Sequence, residues 1–317
     1  MMHSSENINF KTMGLLITVY GFGEVGSLVA ALINSNFSNC TLNVMNTKEQ
    51  VSGRILDLQH AAACNNNQVI HNSQSSIPLS DFIIYAAGFS NAHGESRNSV
   101  ALKNKQLVYK LFSKISFTSK TKIIAITNPV DPISYWIHDA VKGKATVIGT
   151  GTALDTFRLK HILSNHFVAK LANVTAKVIG EHGQHMVPLF SQSKIEDKYL
   201  IDVTNDNELQ GIEEKLVKSA FEIRETEQAT KYGIAQTCLE LIQAFLSEKR
   251  ICLPVSIGIT EELRREFECK LPLFISLDCV ISKDGIKISS LKCSSTERLN
   301  LKLAANAIEE IILTTSE

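Results

Sequence analysis

Residues 15–34 read LLITVYGFGEVGSLVAALIN, and this stretch decides the fold. Leu15 to Tyr20 is a short apolar run rich in residues that favour strands, and it stops at three closely spaced glycines, Gly21, Gly23 and Gly26. From Glu24 onward Val25, Leu28, Val29 and Leu32 recur at helical spacing, so a buried strand passes through a glycine turn into a helix.

Further apolar runs at Thr41–Met45, Phe82–Ala87, Ile123–Thr127 and Thr146–Ile148 are separated by segments long enough for crossover helices. That alternation predicts five or six parallel strands before residue 152, a doubly wound parallel sheet of the Rossmann type. The remainder predicts a mixed α+β domain. It holds a helix from about Asp155, a strand near Ala176–Ile179 and a long helical stretch from Asn207 to Lys249. A hairpin of Leu273–Ser282 and Ile286–Leu291 follows, then a last helix opened by a Ser294/Glu297 capping box, with Ala304, Ile308, Ile311 and Ile312 on its apolar face. The expected domains are 1–152, binding a dinucleotide, and 153–317, binding the substrate.

The G-x-G-x-x-G spacing gains its meaning from lying between strand and helix. The glycines permit a tight turn, let backbone approach a pyrophosphate and bring helix close to strand, while the helix N-terminus faces the anion. The same fingerprint asks for an acid about 20 residues later, on the adenosine ribose. The second strand ends instead at Met45-Asn46. Asn46 accepts a hydrogen bond without repelling a 2′-phosphate, and Lys48 is near enough in sequence to attract one, so both NAD and NADP stay open.

His182 lies in Gly180-Glu181-His182-Gly183, after an expected strand. Reduction of a 2-oxo acid needs a proton donor, a carboxylate to orient it, a fork for the substrate carboxylate and a polariser of the carbonyl. His182, Asp155, Arg158 and Arg97 supply those types. Each has a blander reading as well: a satisfied structural histidine, a helix N-cap, two surface arginines.

Taken together, GFGEVG, DLQHA, AAGFSNAHGESR, TNPVDPISY, VIGTGTALDTFR, IGEHG, ATKYGIA and PVS follow one another in an order and spacing that resembles the lactate and malate dehydrogenase family from the first strand to the last helix. The resemblance implies a nicotinamide cofactor, a homodimer or homotetramer, and interconversion of an L-2-hydroxy acid with its 2-oxo acid. It implies His182 as proton donor and acceptor, Asp155 as its partner, and Arg158 on the substrate carboxylate. Arg97 would ride on a mobile loop between Gly88 and Gly94, Asn128 would bond the reacting oxygen, and Thr230 would line the pocket. Gly21, Gly23, Gly26, Gly88, Asn46 and Asn128 would hold the cofactor. In that family the residue six before the loop arginine reads the substrate side chain; here it is Asn91, whose neutrality favours lactate over malate and whose short side chain leaves room for larger oxo acids. Other departures are Ser90, Gln184, and Lys160 with Thr175, where the family's sugar bisphosphate site would be, so that control is expected to be weak or absent.

Composition supports a small-molecule partner. Lys plus Arg and Asp plus Glu are both 32, and no basic run is interleaved with aromatics, which argues against nucleic acid. No apolar stretch reaches membrane-spanning length and the start lacks a secretory pattern, so a cytoplasmic protein is expected. The 7 cysteines show neither paired nor zinc-ligand spacing, so reduced thiols and no metal are expected.

Overall fold

The computed structural model describes residues 14–46, 51–89, 97–227, 230–248 and 250–315. Its first half holds strands β1 (Leu15–Tyr20), β2 (Cys40–Met45), β3 (Gln68–His71), β4 (Phe82–Tyr85), β5 (Lys122–Ala125) and β6 (Thr146–Gly149). They pair in parallel in the order β3-β2-β1-β4-β5-β6. Ile17, Val19, Leu42, Val44, Ile83, Ile84, Ile123 and Ile124 are completely buried, as expected for β-branched and leucine side chains in strands covered on both faces. The cover comes from helices α1 (Glu24–Asn36), α2 (Ser52–Ala63), α3 (Arg97–Phe112) and α4 (Val130–Ala140).

In the second half come α5 (Ala153–His166), β7 (Val174–Thr175), β8 (Val178–Gly180), β9 (Met186–Pro188), β10 (Lys194–Ile195), β11 (Lys198–Tyr199), α6 (Leu200–Val203), α7 (Asp206–Thr226) and α8 (Tyr232–Leu246). Then follow β12 (Ile251–Gly258), α9 (Glu261–Glu266), β13 (Phe274–Ser282), β14 (Gly285–Ile288) and α10 (Ser295–Thr314). The hairpin and the Ser294/Glu297 capping box form as expected. Three expectations need correction. The long helical stretch is two helices, because Glu227 turns to extended backbone and ends α7. The second hairpin strand stops at Ile288 rather than Leu291. Strand β12 has no counterpart in the sequence reading, since Pro254 falls inside it and its apolar run is nearly unbroken.

β12 matters most for the architecture. Ser256 pairs antiparallel with Gly149 of β6, and β12 pairs along its whole length with β13, so the sheet continues as β6-β12-β13-β8-β9. One apolar core follows it across both halves, from Ile17 and Val29 through Ile148 and Val255 to Ile275 and Ile308. Helix α1 differs from its expected face: Val29, Ala30 and Ile33 are its most buried apolar side chains, while Val25, Leu28 and Leu32 pack less completely. It lies against the sheet on one side and α8 on another, so more than one stripe is covered. All 7 cysteines are free thiols, and among the described residues no helix is long and apolar enough to cross a membrane.

Candidate active site

The glycine turn sits where β1 meets α1. Gly21 has φ +94°, a left-handed conformation that glycine adopts without a Cβ penalty, and its N–H bonds the Met45 carbonyl at 2.9 Å. A methyl on Gly26 would strike the Gly21 carbonyl oxygen, whereas a methyl on Gly23 would meet nothing within 4 Å. The three glycines thus divide the work: one bends the chain, one packs it, and one leaves open space beside the N-terminus of α1. That terminus has no side-chain cap, so its amide donors suit a pyrophosphate. Glu24 lies in this first turn, and Arg54 of α2 pairs with it at 2.9 Å. Asn46 follows β2 directly, its backbone clamped on both sides by the Asn72 side chain at 2.9 Å each.

Two further loops leave the same end of the parallel strands, after β4 and β5. Gly88 follows β4, with no room for a side chain against Thr127 and Asn104. Asn104 of α3 is completely buried. It accepts from the Phe89 N–H at 2.7 Å and donates to the carbonyls of Phe89 at 3.1 Å and Asn128 at 3.3 Å. It therefore ties the β4 and β5 loops together. Its polar presence between the buried residues Val100 and Val108 was the available signal in the sequence.

On the far side, α5 is pinned to β8 by two threonines one helical turn apart. Thr152 Oγ1 donates to the Val178 carbonyl at 2.5 Å, and Thr156 Oγ1 accepts from the Val178 N–H at 3.0 Å. Between them Asp155, completely buried, reaches His182 just beyond β8: His182 Nδ1 to Asp155 Oδ2 is 2.6 Å. The other carboxylate oxygen accepts from Arg158 Nη1 at 2.8 Å, and Arg158 Nη2 reaches Thr230 Oγ1 at 3.4 Å. Burial pushes the Asp155 carboxyl up, and the His182 and Arg158 charges overcome it, leaving it below the usual carboxylate range. Burial pushes His182 down, and Asp155 reverses this and raises it. With Nδ1 committed to Asp155, Nε2 is the nitrogen left to give or take a proton.

Four of the expected residues, His182, Asp155, Arg158 and Thr230, thus form one connected chain. Asn128 is exposed on the β5 loop and makes no side-chain bond to them among the described contacts. Arg97 opens α3, while Asn91 falls outside the described residues. One residue was missed here: Asp131, in the first turn of α4, is 1% exposed and accepts from the His182 main-chain N–H at 2.9 Å. It lay inside the quoted TNPVDPISY run, where an acid beginning a helix reads as a favourable first-turn charge.

The family profile described as lactate/malate dehydrogenase, NAD binding domain, matches residues 15–149, and that described as lactate/malate dehydrogenase, alpha/beta C-terminal domain, matches residues 152–317. The chain belongs to the lactate/malate dehydrogenase family. Within that family of NAD-dependent 2-hydroxy acid dehydrogenases it is 30% identical over 314 residues to an L-lactate dehydrogenase of Fervidobacterium nodosum, covering 93% of this chain and 97% of the relative. An L-lactate dehydrogenase of Geobacillus sp. (strain WCH70) is 26% identical, with 93% and 95% covered. Among solved structures, MGS-M5, a lactate dehydrogenase from a deep-sea metagenome library of the Medee basin, superposes with TM-score 0.84 at 24% identity, covering 96% of this chain and 100% of that one. The malate dehydrogenase from Aeropyrum pernix gives 0.83 at 24% identity, with 94% and 97% covered. At these identities the two structures carry the lactate/malate dehydrogenase fold and no substrate.

Proposed function

We propose that this lactate/malate dehydrogenase family member reversibly reduces the carbonyl of a small 2-oxo acid to the L-2-hydroxy acid, with pyruvate and L-lactate as the preferred pair. The observation that carries the reading is the relay from Thr230 through Arg158 and buried Asp155 to His182, two residues beyond Gly180, which shares a register row across the sheet with Tyr20 at the start of the glycine turn. Gly21, Gly23 and Gly26, with Gly88, Asn46 and Asn128, would hold the nicotinamide dinucleotide, which supplies the hydride when bound.

The protein's own part is acid–base and electrostatic. His182 delivers the Nε2 proton to the carbonyl oxygen as that oxygen gains charge, and recovers it from the hydroxyl in the reverse direction. Asp155 fixes the ring tautomer and stabilises the imidazolium. Arg158 offers a planar fork to the substrate carboxylate, which would compete with Asp155 and Thr230 for its donors. Arg97 would polarise the carbonyl and Asn128 would bond the reacting oxygen. Asn91 offers no positive charge to a second carboxylate, which disfavours oxaloacetate, and its shortness keeps a bulkier 2-oxo acid as the second reading. NAD is the proposed cofactor; Asn46 in place of an acid leaves NADP as its rival. A cytoplasmic homodimer or homotetramer completes the proposal.

Absorbance assays of NADH and NADPH oxidation with pyruvate, oxaloacetate and 2-oxoisocaproate test reaction, substrate and cofactor together. Turnover of pyruvate with NADH should exceed the other combinations. No turnover of any 2-oxo acid would sink the reading.

A further inference from the structure

Asp131 is harder to explain than a hydrogen-bond partner need be. Its Oδ2 accepts the His182 main-chain N–H, a task that any neutral acceptor could perform. Its other oxygen, Oδ1, has no well-formed hydrogen bond, and the buried Ser256 hydroxyl of β12 is the side chain that acts on the carboxyl as a hydrogen-bond donor, favouring its charge. Burying a carboxylate on two neutral donors, with no cationic side chain paired to it among the described residues, is costly unless its charge is used. Burial pushes this carboxyl up to about 7, against the lowering pulls of Ser256 and His182, with Glu181 pushing the same way as burial.

The charges around His182 show where that use lies. Asp155 holds the ring from α5, but its other oxygen is paired with Arg158, and Arg158 itself disfavours the imidazolium. Asp155 and Arg158 therefore offset each other in part. Asp131, entering from α4, adds a second negative charge that favours the imidazolium and has no cationic side chain paired with it among the described residues.

We infer that Asp131 is a positioning residue whose negative charge, in addition to its hydrogen bond, sets the proton affinity of His182, so that the two groups exchange protons with solvent as a coupled pair. The inference rests on reading His182 as the acid–base group. A proton bound at either site changes the affinity of the other, and the observed midpoints belong to the pair. The positive end of α4 helps keep the charge on Asp131.

The test is an NMR titration of the His182 ring in the protein without substrate, for wild type and Asp131→Asn, with circular dichroism to confirm the fold. Asparagine keeps an oxygen for the His182 N–H, removes the charge and sets an amide NH2 in place of the second oxygen, facing the Ser256 hydroxyl, which can accept from it. The His182 midpoint should fall by about one pH unit, a tenfold change in proton affinity. The pH at which kcat/KM for pyruvate reduction declines should fall by a similar amount, a displacement that a purely structural role would not produce. An unmoved midpoint in folded Asp131→Asn overturns the inference. Should that variant not fold, Ser256→Ala is read instead: losing the hydroxyl raises the Asp131 carboxyl further, so the His182 midpoint should again fall, and an unmoved one overturns the idea. A wild type that reduces no 2-oxo acid would overturn the proposed function, while the NMR result would still decide whether Asp131 tunes His182.

Discussion

The proton on His182 is held by opposing pulls: burial disfavours the charged ring, and Asp155 outweighs burial. Reduction draws on the imidazolium, so it should be sustained at pH values below the raised His182 midpoint and fall above it; oxidation needs the neutral ring and should rise across the same range. Rates measured in both directions check the sign, and His182→Asn should lower turnover by roughly 10²-fold or more with NADH binding nearly unchanged. Arg158→Lys replaces a fork already spanning Asp155 and Thr230 by a point charge. Its substrate binding should weaken by about 2 kcal/mol; an unchanged KM for pyruvate would place the substrate carboxylate elsewhere. Asn91→Arg should favour oxaloacetate over pyruvate by roughly 10²-fold in the ratio of efficiencies, since only one substrate satisfies the new charge. A ratio that stays put would refute the assigned loop register. The relay residues were legible because their spacing repeats a known order. Asp131 and Asn104 were not, because what they bond is main chain brought together by remote segments, and no local pattern announces that.

At the scale of elements, the glycine turn makes a prediction that separates folding from binding. Gly26→Ala drives a methyl into the Gly21 carbonyl and should cost about 3 kcal/mol, read as a lower melting temperature. Gly23→Ala touches no protein atom within 4 Å, so the melting temperature should hold while NADH affinity drops. Unchanged affinity in Gly23→Ala would mean that the open space is not where the dinucleotide lies. The strand–turn–helix unit was readable from period and turn chemistry alone, since both are local. The end of α7 was harder to read: Glu227 carries no strong stop signal, and the break serves a partner far off in sequence, leaving Thr230 beside Arg158.

For the whole molecule the decisive fact is that the sheet and the core cross the proposed division between 1–152 and 153–317. Trp136, the chain's single tryptophan, is 1% exposed in α4 and reports on a second core built mainly of first-half side chains such as Tyr85 and Phe112, with Phe274 of β13. Its fluorescence should change with denaturant at the same midpoint as the far-ultraviolet circular dichroism of the entire chain, a single cooperative transition. Two separated midpoints would show halves that unfold independently. The first half's sheet was legible because each parallel strand announces itself locally; β12 was hidden, because its place between β6 and β13 is a matter of long-range pairing.

The pairing of Ser256 with Gly149 also governs how the molecule can move. Many two-part enzymes close like a jaw, rotating one lobe about a flexible strap. Here rotation of one half against the other would have to bend a continuous sheet and shear a shared core, so both oppose it. Whatever shuts out water during turnover must then be a local rearrangement at the rim of a stiff frame, and binding should change the surface of this protein without changing its shape.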